Sequence, residues 1–253
     1  MRIFLKTEDE IILLRAASQL ATRALIEVGR HVVPRLALSH LRNKVVNAVM
    51  RTVPTESNSG KEALSSDTEF TFFVNGAYIE PSLEGECMLC EGDWLTVNCW
   101  VCLNGYYSFG AHTFIVRSSQ DDEPMTSTLR DMLRQVVRRA SAGHSIKEMS
   151  RTVYSLHSHD PYVLQKTFGH GVGRNRVENP ILRMNPGVND TVLLKEGMCL
   201  VIALAFKHGR SHLIKPRLMH ESTFHNPFVP FGTTVVVRPG RPEILTSFET
   251  IVK

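Results

Sequence analysis

The chain has 253 residues, 43% of them hydrophobic and 21% charged, with a formal net charge of +4. That length suits one core-bearing domain over residues 1–253, and the composition is that of an ordinary folded globular chain. An apolar membrane helix is excluded, because no run approaches the ~18 apolar residues a span needs, and so mild a positive charge does not by itself indicate nucleic acid.

Thr7 and Glu10 have capping-box spacing, and Leu14, Ala17, Ala21, Ala24, Leu25 and Val28 then recur at helical spacing. A long amphipathic helix from about Glu8 to His31 is expected, stopped near Pro34. The start has no apolar stretch followed by a small-residue cleavage site, so a cytoplasmic location is expected. A second helix is expected from about Ser39 to Thr52, with Leu41, Val45, Val46 and Val49 as its stripe. Residues 54–68 are polar and read as a loop.

Trp94–Leu103 has strand composition, Asn104-Gly105 is the favoured type I′ turn pair, and Tyr106–Val116 returns as the partner strand. Two more helices are expected, about Met125–Ala142 and Ser145–His157, the second opened by a Ser145/Glu148 capping box. Beyond them Val192–Leu194, Cys199–Phe206 and Thr233–Val237 read as strands. The order is two helices, strands, two helices, strands: an α+β chain with a possible twofold echo.

Five cysteines occur, at 87, 90, 99, 102 and 199. The odd count argues for free thiols in a reducing compartment. Cys87-x-x-Cys90 and Cys99-x-x-Cys102 resemble a four-thiolate zinc site, but Cys99 and Cys102 lie in a strand, where positions three apart face opposite ways. Buried structural cysteines are the better reading. Arg130, Arg134 and Arg138 are spaced along one helix with Arg139, Lys147 and Arg151 nearby. No aromatic residue interleaves with them, so a solvated helix face is preferred to an RNA-binding one.

Gly169-His170-Gly171-Val172-Gly173-Arg174 is the most distinctive stretch. Its glycines permit close backbone approach, but no Lys-Ser/Thr follows to make a phosphate loop. With Ile3-Phe4-Leu5-Lys6-Thr7, Glu91-Gly92-Asp93, Leu103-Asn104-Gly105-Tyr106, Glu178 with Pro180, Leu194-Lys195-Glu196-Gly197-Met198 and Glu243-Ile244-Leu245-Thr246, it makes the chain resemble the type I methionine aminopeptidases of peptidase family M24.

The resemblance implies the pita-bread (creatinase/aminopeptidase-like) fold, a curved antiparallel sheet flanked by two helix pairs. It also implies a centre in which two aspartates, one histidine and two glutamates hold two divalent metals. Those five positions fall at Asn98, Phe109, His170, Ala203 and Gly232. A further histidine that assists the family's chemistry falls at Val177, and one ahead of the hairpin at Tyr78. With residue 109 opposite residue 100 across the turn, residues 98 and 109 are diagonal neighbours on one face. Four of the five ligands are replaced by neutral or apolar residues. The replacements agree with one another, because buried carboxylates without a metal repel and are costly to desolvate.

The expectation is therefore a chain without a metal or other cofactor, acting as a binding or scaffold protein. Expected partners are a protein, a peptide terminus or a ribosome-like assembly, with nucleic acid the less supported. Two alternatives differ in class. One is a metal-free enzyme, as creatinase is, using His170 as base with Cys99 on the adjoining strand. The other is a divergent metalloaminopeptidase that removes N-terminal methionine with ligands drawn from His112, His157, His159 and His220.

Overall fold

A computed structural model of the chain describes residues 2–53, 64–117, 124–157, 167–185, 192–207 and 228–247. Helix α1 (Glu8–His31) begins at the expected capping box: Thr7 Oγ1 accepts from the Glu10 amide, and a Glu10 carboxylate oxygen accepts from the Thr7 amide. Its apolar stripe, Ile11, Leu14, Ala17, Ala21, Ala24, Leu25 and Val28, is wholly buried. Helix α2 (Leu38–Thr52) packs on α1 and buries Leu38, Leu41, Val45 and Val49.

Next come β1 (Glu69–Val74), β2 (Ala77–Tyr78) and the hairpin β3 (Trp94–Leu103) and β4 (Tyr106–Ile115). The hairpin turn is the predicted one, with Asn104 at φ 50° and Gly105 at φ 75°, the positive angles a type I′ turn requires. Helices α3 (Pro124–Arg138) and α4 (Ile146–His157) follow, α4 behind its Ser145/Glu148 capping box. The chain continues with β5 (Thr167–Gly171), β6 (Glu178–Arg183), β7 (Cys199–Lys207), β8 (Phe228–Val236) and β9 (Glu243–Ile244).

All pairings are antiparallel and build one curled sheet in the order β2-β1-β3-β4-β8-β7-β5-β6, with β9 beside β8. The order reads as one half and its echo, which gives the twofold repetition suspected in the sequence a structural form. The curled sheet with α1/α2 on one half and α3/α4 on the other is the expected pita-bread architecture. Val97, Cys99 and Val101 point to the helices and belong to the main core, so Thr96, Asn98, Trp100 and Cys102 point to the other, concave face.

The halves meet between β4 and β8 at a seam of hydroxyls. Their one register pair is Ala111 opposite Gly232. Beside it Thr234 Oγ1 accepts from the Phe109 amide at 2.9 Å and donates to the Phe109 carbonyl at 2.9 Å. Ser108 Oγ reaches Ser18, Thr234 and Thr246 within the same buried cluster.

Two expectations are corrected. Val192–Leu194 is not a strand: Leu193 makes only an isolated bridge with Ser145, because its partner is a helix-entry residue with no strand to extend. Arg130 is buried, only 7% exposed, so the basic residues of α3 do not all share a solvated face. Strands β1, β5 and β6 were not anticipated individually. The polar segment 54–68 is described only from Leu64, which bridges to Leu103.

Candidate functional site

The five positions singled out from the sequence converge on the concave face. Trp100 pairs with Phe109 and Asn98 with Ala111, so Asn98 and Phe109 are the diagonal neighbours that the turn geometry predicts. Ala203 lies opposite Gly232 on β7 and β8, and His170 lies opposite Val201 on β5 and β7. A Cβ built on Gly232 would stand 2.6 Å from Phe109 Cε1, 3.1 Å from Ala203 Cβ and 3.4 Å from Ala111 Cβ. Positions 109, 203 and 232 therefore share one small volume, and the Phe109 ring fills it.

The surroundings are apolar. Phe109, Ala111 and Val201 belong to a second buried cluster with Ile11 and Leu14, against which Trp100 and Ala203 pack. The Trp100 and Phe109 ring centroids are 4.7 Å apart. Polar groups lie at the margins. Thr96 and Thr113 share a hydrogen bond of 2.8 Å, and Asn98 Oδ1 is buried without a hydrogen-bond partner among the described residues.

His170 stacks on Trp100 at 6.1 Å with 8° between the planes. Its Nδ1 is 2.8 Å from the Gly171 carbonyl oxygen, which can only accept. Nδ1 therefore carries the proton and Nε2 the lone pair. Burial holds the imidazole below the usual histidine range, opposed by the Gly171 carbonyl. The neighbouring Gly171 has no positive φ. It is glycine because a Cβ there would run into the Asn179 backbone, so close packing and not backbone strain explains it.

Several predicted participants lie elsewhere. Cys99 is fully buried on the helix side of β3, and burial raises its thiol pKa, so it does not face His170. His112 also points away from the site and packs between the rings of Phe114 and Phe231, each 4.6 Å from its own. Val177 is 58% exposed on the loop between β5 and β6. Tyr78 lies on the outermost strand against Phe73. The side chain of His157, with His159 and His220, falls outside the described residues. Cys99 and Cys102 face opposite ways, and among the described residues no three of His, Cys, Asp and Glu gather as a metal-holding group.

Sequence reasoning missed Trp100, Tyr107 and Arg176. Trp100 was within reach, since it lies two residues beyond Asn98 on a strand and must share its face. Arg176 carried no such signal, because only the folded loop brings it over the Trp100 and Tyr107 rings, at 5.7 and 5.8 Å from their centroids.

Comparison with known proteins agrees with this architecture. Residues 12–239 match the metallopeptidase family M24. The chain is 25% identical over 248 residues to a methionine aminopeptidase of Clostridium perfringens, covering 96% of this chain and 98% of that one. It is 27% identical over 225 residues to a methionine aminopeptidase of Helicobacter pylori, covering 85% and 87%. Among solved structures, the methionine aminopeptidase of Thermotoga maritima superposes with a TM-score of 0.78 at 21% identity, over 97% of this chain and 100% of that chain.

Proposed function

The chain belongs to metallopeptidase family M24, and from that premise we propose that it is a methionine aminopeptidase-like protein with a retired catalytic centre, acting as a binding or scaffold protein. In this reading Asn98, Phe109, His170, Ala203 and Gly232 are the former metal-ligand positions and Val177 the former catalytic histidine position. One observation carries it: the Phe109 ring stands in the space a side chain at Gly232 would need, at the register position where Gly232 faces Ala203. Phe109 and Gly232 are buried, with Asn98, His170 and Ala203 half-buried around them.

The donors present do not fit a pair of divalent metals. A hydrolytic site needs about three protein ligands and an open position for water. At those five positions the donors are the His170 ring nitrogen and the Asn98 amide oxygen, and the Phe109 ring takes the space beside Gly232.

Elemental analysis after exposure to cobalt, manganese or iron, together with assay of a Met-Ala peptide, tests this. Neither stoichiometric metal nor turnover is expected. Two metals per chain, or turnover abolished by chelator, would establish the divergent metalloaminopeptidase instead. A second reading, a metal-free enzyme, is favoured by the neutral His170, whose Nε2 retains its lone pair. It requires chelator-resistant activity that His170→Ala removes.

Among the described residues no helix is long and apolar enough to cross a membrane. A cytoplasmic location, a single domain over residues 1–253, and a protein, peptide-terminus or ribosome-like partner complete the proposal.

A further inference from the structure

Arg176 touches the far wall of the cleft. It follows β5, whereas Glu69 is on β1, Trp100 on β3 and Tyr107 on β4, and within the sheet β5 is separated from all three by β7 and β8. Yet the guanidinium pairs with Glu69 at 2.8 Å, donates to the Asp67 carbonyl oxygen and lies over the Trp100 and Tyr107 rings. Tyr107 in turn donates to Asp67 Oδ2 at 2.5 Å. Beneath these contacts Trp100 stacks on His170, again across the cleft.

We propose that Arg176 is the fastening of a clasp across the concave face, so that the aromatic floor of half-buried Trp100 and buried Phe109 opens further to solvent when Arg176 lets go of Glu69 and Asp67. Arginine suits the task because its planar fork serves a carboxylate and a carbonyl while its face stays on aromatic rings. The ion pair is suited to release because its side chains are 35% and 51% exposed, and such pairs are weak and screened by salt. The device belongs to the walls of the cleft and operates whether or not the centre ever holds a metal.

The test uses the full chain in chelator. Trp94→Phe leaves Trp100 as the sole tryptophan, and acrylamide quenching then reads its accessibility. Arg176→Ala should raise the quenching constant about twofold or more, with Arg176→Lys between the two because it keeps charge but not the flat stack. Hydrogen exchange in residues 64–70 should quicken as well, although no residue there has changed. Unchanged quenching and exchange in a folded Arg176→Ala variant overturn the proposal. Glu69→Gln gives a second route that leaves Arg176 in place: a smaller rise is expected, and no rise also overturns it.

Discussion

The edge of the Phe109 ring stands where the side chain of residue 232 would begin: a Cβ on Gly232 would lie 2.6 Å from Phe109 Cε1. The pair should therefore be strongly coupled. Gly232→Ala is expected to cost about 1–3 kcal/mol through overpacking. Phe109→Ala should cost roughly 3–5 kcal/mol through the cavity it leaves. In the Phe109→Ala background Gly232→Ala should become neutral or favourable, because the added methyl then partly fills a void. Urea unfolding of the four proteins closes the cycle, and an equal cost of Gly232→Ala in both backgrounds would separate the two residues.

Ala203→Glu restores one carboxylate of the family pattern without a cation to balance it. Ala203 packs against the same apolar cluster, so the carboxyl should lose about 1–3 kcal/mol of stability, or roughly 3–10 °C in Tm. Its pKa should rise, so the loss is full above the raised pKa and shrinks as the pH falls through it. Melting curves at two pH values and a metal assay check this. A stabilised, metal-loaded variant would mean that the cleft is more polar than its lining.

His112 should make the fold acid-sensitive. It is 3% exposed, its Nδ1 has no hydrogen-bond partner among the described residues, and its pKa is lowered to about 3, first by burial and then by Arg130. The folded state thus refuses a proton that the unfolded chain accepts near pH ~6.5. Stability is full above that value and falls as the pH drops towards 3, by up to about 5 kcal/mol if no other group intervenes. Urea midpoints of His112→Leu should decline less steeply between pH 7 and 4 than those of the parent chain, and parallel declines would remove His112 as the cause.

His170→Ala should be mild, about 1 kcal/mol for one hydrogen bond to a carbonyl. Gly171→Val should be worse, since any Cβ there runs into the Asn179 backbone. Thermal unfolding ranks them. A reversed order would assign the distinctive glycine stretch to the histidine, with its glycines secondary.

The parts of the fold that repeat locally were legible. Helix α1 announced itself by Thr7, Glu10 and the Leu14–Val28 stripe, and the hairpin register by Asn104-Gly105. That register alone sets Asn98 diagonally from Phe109. The family resemblance brought in Ala203 and Gly232, which no local pattern marks. What escaped were residues whose neighbours are set by the curl of the sheet. Arg176 meets Glu69 over 107 positions of chain. Leu193 sits in a segment of strand-like composition, yet strand propensity is settled by partners, and its bridge partner Ser145 is a capping residue.

The hydroxyl seam has a mechanical meaning. Ladder hydrogen bonds between strands loaded along their length share the force, whereas Ala111–Gly232 is a single rung beside a cluster of serine and threonine side chains. The molecule is two shells riveted along a polar line, and tension drawn across the sheet should part the shells there before it unravels either one. Thr234→Val, which keeps the shape and removes the rivet, should lower the first rupture force in a single-molecule pull across the two halves and leave later events unchanged.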